Sequence, residues 1–192
     1  MKKIVLTFGL ISGAIMSALM TGIVVFAHQT DPGRGMIIGY TIMVLSFLLV
    51  FFGIRSYREN VGNGYISFGR ALGVGFLIML ISCACYVATW EVVYHKFMPD
   101  FGEKYLAQTI ERERASGKSP QEIETEIEKM RSMMQLYNSN IFFNMAITFL
   151  EPLPVGVVMS LISAAILRKR RREGQDLQDL QDAVKQTSVN PV

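Results

Sequence analysis

The 192-residue sequence contains few of the residues that enzyme active sites and metal centres use. It has two histidines, His28 and His95, and two cysteines, Cys83 and Cys85. At an i, i+2 spacing on a helix the cysteines point to different faces, so they form neither a disulfide nor a shared metal site. The sequence also lacks a Walker-type glycine loop, an HExxH pair and a CxxC spacing. We therefore predict a protein that is not an enzyme, with no catalytic residues, metal or cofactor.

Charged residues are also scarce, at 18%, and their placement argues against nucleic acid as a partner. The net charge is +3 and the pI is about 8.9. Five of the 19 basic residues form the run from Arg168 to Arg172, which follows an apolar block directly instead of lying on a soluble face. Such a run is typical of the cytoplasmic anchor of a membrane span.

Apolar residues are abundant, at 51%, and the mean hydropathy is +0.32. They are gathered into four blocks, at about 4–27, 35–54, 68–94 and 141–167. Each block is close to or longer than the roughly 20 residues that a membrane-spanning helix needs. We therefore predict an all-α integral membrane protein, a four-helix transmembrane domain over 1–170 in contact with the lipid bilayer. The polar tail, 171–192, is expected to be disordered or a frayed helix.

The first block has two interpretations. A charged start, an apolar run and Val25-Phe26-Ala27 fit a secretory signal peptide with its cleavage site. The run of about 24 residues is longer than the roughly 7–15 of a signal core, which favours an uncleaved anchor. Gly9, Gly13 and Ser17 lie at four-residue spacing, so they give this helix a face that another helix can approach closely.

The basic residues near the block ends predict the topology. A polar, glycine-containing stretch at 55–64 is typical of a loop between the second and third spans. With four spans, one side of the membrane holds Lys2, Lys3, Arg55, Arg58, Arg70, Arg168, Lys169 and Arg170. The positive-inside rule places that side, with both termini, in the cytoplasm. The segment 95–140 is then extracytoplasmic.

Segment 95–140 is predicted to form a helical hairpin. Ser119-Pro120-Gln121-Glu122 combines an N-cap serine, a proline at the first helical position and a glutamate that completes a capping box. The helix that follows carries an apolar stripe of Ile123, Ile127, Met130, Met134 and Tyr137. A shorter helix precedes it and ends around Ser116-Gly117. The stripe packs either within the chain, the usual case, or on a partner protein.

The most informative stretch is Glu151-Pro152-Leu153-Pro154, because it places a carboxyl group and two prolines inside an apolar block. Each proline lacks an amide proton, so the helix must kink or open. Opened backbone at membrane depth is tolerated only inside protein or beside a wet cavity, so we expect this face to point into the bundle. Glu151 either binds a cation or proton during transport, or is neutral and pins the packing through a hydrogen bond.

A second polar group lies near the end of the third block, where Trp90, Glu91 and His95 are close in sequence. An interfacial aromatic belt explains Trp90 without any function. Glu91 and His95 are one helical turn apart, so they also fit a proton-sensitive pair at the outward mouth.

Several short segments together resemble an uncharacterised bacterial membrane protein family known as domain of unknown function 4199. They are Gly53-Ile54-Arg55-Ser56-Tyr57-Arg58, Gly64-Tyr65-Ile66-Ser67-Phe68-Gly69-Arg70-Ala71, Tyr86-Val87-Ala88-Thr89-Trp90, Glu151-Pro152-Leu153-Pro154-Val155-Gly156 and Ser160-Leu161-Ile162-Ser163-Ala164. The resemblance covers about residues 3–170. It implies a four-helix protein of the inner (cytoplasmic) membrane of Gram-negative bacteria, and it implies no activity, substrate or catalytic residue.

Two functions from different classes fit these patterns. The first is a non-enzymatic accessory or interaction subunit that meets a membrane-protein partner, or a second copy, through the hairpin. The alternative is a small proton- or cation-coupled transporter, with Glu151 as the ion site. A lipid-modifying enzyme ranks third because no catalytic constellation supports it.

Overall fold

The structure is a computed structural model that describes residues 1–26, 32–98 and 100–169. Its regular elements are seven helices, which we number α1 to α7 in chain order. Their bounds are α1 Lys2–Phe26, α2 Pro32–Asn60, α3 Phe68–Phe97, α4 Phe101–Arg114, α5 Pro120–Ser139, α6 Ile141–Leu150 and α7 Leu153–Leu167. Arg170 and the tail at 171–192 lie outside the described residues, so the predictions for them stay predictions.

Within the described residues, four stretches are long and apolar enough to cross a membrane, which confirms the predicted all-α class and four candidate spans. They are Lys2–Val24, Ile37–Asn60, Phe68–Phe97 and Ile141–Leu167, the last formed by α6 and α7 together.

The second span differs from the sequence prediction at both ends. The block predicted at about 35–54 was too short and the loop predicted at 55–64 was too long, because α2 begins at Pro32 and continues to Asn60. Proline fits the first helical position, where its missing N–H is not needed. At the other end, Arg55 pairs with Glu59 at 2.9 Å and the Asn60 amide donates to the Ser56 carbonyl at 2.9 Å. These i, i+4 contacts allow polar residues to continue the helix.

The turn after α2 is tied to the end of α7. Ile66 and Lys169 exchange backbone hydrogen bonds of 2.9 Å each, and Arg58 Nη1 donates to the Leu167 carbonyl at 3.4 Å. Lys169 also lies over the Tyr65 ring, with its Nζ 5.4 Å from the centroid. The basic residues of the α2 end and the α7 end therefore lie together at one end of the bundle, which we call the basic end.

Helix α3 is the centre of the bundle and packs against α1, α2, α6 and α7. Gly9 and Gly13 of α1 face it so closely that a Cβ at Gly13 would lie 2.6 Å from Cys85 Cβ. The Thr89 hydroxyl donates to Ser17 Oγ at 2.9 Å on the same face. The small-residue face predicted on the first helix therefore packs within the chain, against α3.

Helices α4 and α5 form the predicted helical hairpin, and the predicted cap is present at Ser119. The Ser119 hydroxyl accepts from the Glu122 amide, and the Glu122 carboxylate accepts from the Ser119 amide at 3.0 Å. Hydrogen bonds from the Ser119 side chain and then its backbone lower the pKa of the Glu122 carboxyl.

The start of α5 is expected to lose stability in acid. A carboxyl group whose pKa is lower in the folded than in the unfolded protein stabilises the fold at any pH above its unfolded pKa, about 4.3. This contribution is lost as the pH falls through the folded-state pKa. The amide hydrogen-exchange protection factors of residues 121–124, corrected for the intrinsic pH dependence of exchange, should therefore fall between pH 6 and pH 3. Glu122→Gln should remove this acid-dependent component, and Glu124→Gln, without a cap contact, should keep it. An identical pH response in all three proteins would contradict the prediction.

Candidate functional site

The fourth span is interrupted, as its two prolines predict. Helix α6 starts at Asn140, whose side chain accepts from the Phe142 and Phe143 amides, and it ends at Leu150. Glu151 and Pro152 form the turn before α7. At the rise of 1.5 Å per residue, Glu151 lies about 15 Å from the start of α6, roughly the middle of a 30 Å hydrocarbon core. The interruption is therefore deep in the span.

The orientation of this turn differs from the prediction. Pro152 is fully buried, whereas Glu151 and Pro154 are exposed. We predicted that the face of the helix carrying Glu151 points into the bundle. This prediction is wrong, because the residue is exposed. Its carboxylate is held to the bundle by one contact, because the Tyr86 hydroxyl of α3 donates to Glu151 Oε2 at 3.1 Å. Glu151 thus lies at the side of the bundle, near the middle of the fourth candidate span.

A chain of hydrogen bonds links α3, α5 and α6 beside this turn. Trp90 Nε1 donates to the Tyr137 hydroxyl at 2.8 Å, the Tyr137 and Thr148 hydroxyls are 3.2 Å apart, and Thr148 donates to Asn144 Oδ1 at 3.3 Å. Since Thr148 donates onward, Tyr137 is the donor to Thr148. Thr148 and Asn144 are buried, at 4% and 1% exposure. The chain fixes α5 and α6 against α3.

Aromatic contacts reinforce the same junction. The Tyr94 hydroxyl donates to Asn138 Oδ1, and the Tyr94 and Tyr137 rings meet edge to face with centroids 5.6 Å apart. Trp90 lies against Tyr94 at 5.8 Å. Burial raises the pKa of the Tyr137 hydroxyl, so it remains a donor at neutral pH. Trp90 thus has a defined partner in addition to any role in an aromatic belt.

Glu91 and His95 are also brought together, at the same end of α3. His95 Nε2 lies 3.3 Å from Glu91 Oε2, with the Glu91 side chain 14% exposed and that of His95 55% exposed. Both Glu91 carboxylate oxygens are buried and neither makes a hydrogen bond. The structure therefore brings together the two residues that the sequence places one helical turn apart.

The apolar stripe of α5 is partly covered by the chain itself. Ile127 is buried, and Ile123, Met130, Met134 and Tyr137 are half-buried. The stripe packs against α4 and, near its end, against α6. The self-packing alternative thus accounts for most of the stripe.

The junction, which we call the α3–α5–α6 cluster, consists of Tyr86, Trp90, Tyr94, Tyr137, Asn138, Asn144, Thr148 and Glu151. Sequence reasoning found Trp90 and Glu151 and missed the hydrogen-bonding role of the others. Asn144 and Thr148, two polar residues one turn apart in an apolar block, were the signal available for this. Among the described residues, no group of three or more His, Cys, Asp or Glu is placed to hold a metal ion.

Tyr137→Phe is expected to weaken the α3–α5–α6 cluster. It deletes the hydroxyl that accepts from Trp90 and donates to Thr148, so the cluster loses two hydrogen bonds. A hydrogen bond contributes about 0.5–1.5 kcal/mol net, so we expect a fall in the free energy of unfolding of about 1–3 kcal/mol. Trp90 is the only tryptophan, so its fluorescence should also shift. Tyr40→Phe, at an exposed site on α2, is the control and should change neither measurement.

The fold and cluster define a helical protein with four candidate membrane spans and a helical hairpin between the third and fourth. Residues 7–169 match the family model described as "Protein of unknown function (DUF4199)". The chain belongs to this family. Neither the curated proteins nor the solved structures gave a match.

Proposed function

We propose that the protein is a non-enzymatic accessory or interaction subunit of a bacterial inner membrane, with the basic end in the cytoplasm. Its hairpin then lies on the extracytoplasmic side. The observation that carries the proposal is Glu151, a carboxyl group on the outer side of the bundle at mid-membrane depth.

A carboxyl group at this depth is costly, by about 2.5–3.5 kcal/mol on insertion scales for acidic residues. Tyr86 supplies one hydrogen bond, and a carboxyl group has capacity for more. Among the described residues, no Lys or Arg forms an ion pair with Glu151, so its own bundle leaves it incompletely satisfied. A polar group on a partner helix would complete it.

The surroundings of Glu151 fit a helix partner. Leu150 and Val158 are 59% and 52% exposed on either side of the break, and exposed Pro154 lies between them. The two prolines fix the turn, so the carboxyl group is presented by rigid backbone. The partner is a membrane-spanning helix with a hydrogen-bond donor at mid-depth.

The test is purification of the tagged protein from its native membranes in mild detergent. We expect a stoichiometric membrane protein with the wild type and with Ile166→Ala, a control at an exposed site near the basic end. Glu151→Leu should lose it. Equal recovery with Glu151→Leu would contradict a partner contact at this site, and recovery of only a second copy of the chain would assign the surface to self-association.

A proton- or cation-coupled transporter is the second candidate. It is favoured by protonatable groups at two positions along α3. Tyr86 of α3 contacts Glu151, and Glu91 and His95 lie nearer the C-terminal end of α3. It predicts that Glu151→Gln abolishes ion flux in proteoliposomes while expression is unchanged. Flux that is equal in Glu151→Gln and wild type would exclude Glu151 as the ion site.

A further inference from the structure

The depth at which α5 ends can be read from two partners of Tyr137. Its hydroxyl binds Trp90, seven residues before the end of α3, and Thr148, seven residues after the start of α6. At 1.5 Å per residue both positions lie about 10 Å inside their spans. The next residue, Asn138, binds Tyr94 of α3. The last turn of α5 therefore lies alongside the ends of two membrane spans.

Exposed apolar side chains on α5 are confined to this end. Among its described residues, the only large hydrophobic side chains that are exposed are Met133, at 63%, and Leu136, at 44%. After the single linking residue Asn140, the exposed series continues on α6 with Ile141 at 52% and Phe142 at 80%. The exposed apolar residues at the end of α5 are thus followed along the chain by those at the start of the fourth candidate span.

We propose that Met133 and Leu136 insert into the boundary between lipid headgroups and acyl chains, so that the C-terminal half of α5 is a membrane-surface helix. The occupant of this surface is the bilayer itself. The next exposed apolar residues along the chain, Ile141 and Phe142, begin the fourth candidate span, which lipid surrounds. Large apolar side chains on one face of a helix at this level bind the interface by burial of their apolar area. The first half of α5, with no such side chains exposed, extends into water.

This inference does not depend on the proposed partner of Glu151. It assigns one surface of the hairpin to lipid, so a protein that binds the hairpin would have to use another surface.

The experiment places a nitroxide label at position 133 by cysteine substitution, in a background with Cys83→Ala and Cys85→Ala, in liposomes. Position 142 is the membrane reference. Position 126 is the matched control, since it lies on the same face of α5 two turns earlier. We expect position 133 to resemble 142, with frequent collisions with oxygen and few with a water-soluble nickel complex, and 126 to show the reverse. Equal nickel accessibility at 133 and 126 would overturn the proposal.

The wild-type protein gives a second measurement if the cysteine-free background does not fold. Its single tryptophan, Trp90, is bonded to Tyr137, so its depth reports the depth at which α5 ends. Lipids brominated at the upper acyl carbons should quench its fluorescence more than lipids brominated near the chain ends. Absence of quenching by either lipid would place Trp90, and with it the end of α5, outside the bilayer.

Discussion

Glu151→Leu is expected to stabilise the isolated protein and to abolish recovery of its partner. Replacing an acidic residue at mid-membrane depth by leucine gains about 3 kcal/mol on insertion scales. Loss of the Tyr86 hydrogen bond costs about 1 kcal/mol. The net gain of about 2 kcal/mol should raise Tm by roughly 4–8 °C for a chain of this size. Recovery of the partner should fall at least about tenfold, which corresponds to one lost hydrogen bond to a polar group.

Two comparisons separate this result from a general effect on folding. Glu151→Gln keeps an oxygen that accepts from Tyr86, so it should retain more partner than Glu151→Leu. Tyr86→Phe should lower the free energy of unfolding, because it removes the hydrogen bond to Glu151 while the carboxyl group remains. If Glu151→Leu lowered Tm instead, Glu151 would be a structural pin of the bundle, and its loss would explain any loss of partner.

Gly156→Val is expected to give a large loss of stability. Gly156 starts the tight packing of α7 on α2 and α3, and a Cβ there would clash with the buried Met79 side chain, including its Sδ at 2.7 Å, and approach Phe47 Cζ at 3.0 Å. Both neighbours are fully buried and have little room to move. Overpacking of this kind costs about 1–3 kcal/mol or more, which corresponds to a fall in Tm of at least roughly 2 °C.

Gly73→Val on α3 is the matched control, because a Cβ at this exposed helical position meets no atom within 4 Å. Both substitutions place the same β-branched residue in a helix, so their difference reports packing. Thermal unfolding in detergent, followed by circular dichroism, measures both. Equal Tm values for the two variants would show that α7 does not pack closely at Gly156.

The sequence predicts features that depend on local chemistry. The break at Glu151 and Pro152 follows from missing amide protons, and the Ser119 cap follows from a four-residue motif. Both need only neighbours along the chain. The end of α2 shows the limit of this approach, because polarity indicated a loop at Arg55, while the Arg55–Glu59 pair keeps the segment helical.

The α3–α5–α6 cluster could not be predicted in the same way. Trp90 and Tyr137 are 47 residues apart, and their hydrogen bond depends on how α5 returns against α3. The spacing of the apolar stripe places Tyr137 on one face of a helix, but it does not identify the partner of its hydroxyl. The exposure of Glu151 could not be predicted because it depends on which faces of α6 pack against α3 and α5, contacts that the local sequence does not specify.

The most direct test of the central claim is photocrosslinking in native membranes with a benzoylphenylalanine at position 150, next to Glu151. Position 10, exposed at 52% on α1, is the control. We predict one discrete crosslinked membrane protein at position 150, absent at position 10 and absent when Glu151→Leu is present. Crosslinks to lipid alone at both positions would contradict the account, since the Glu151 surface would then face the bilayer without a protein partner.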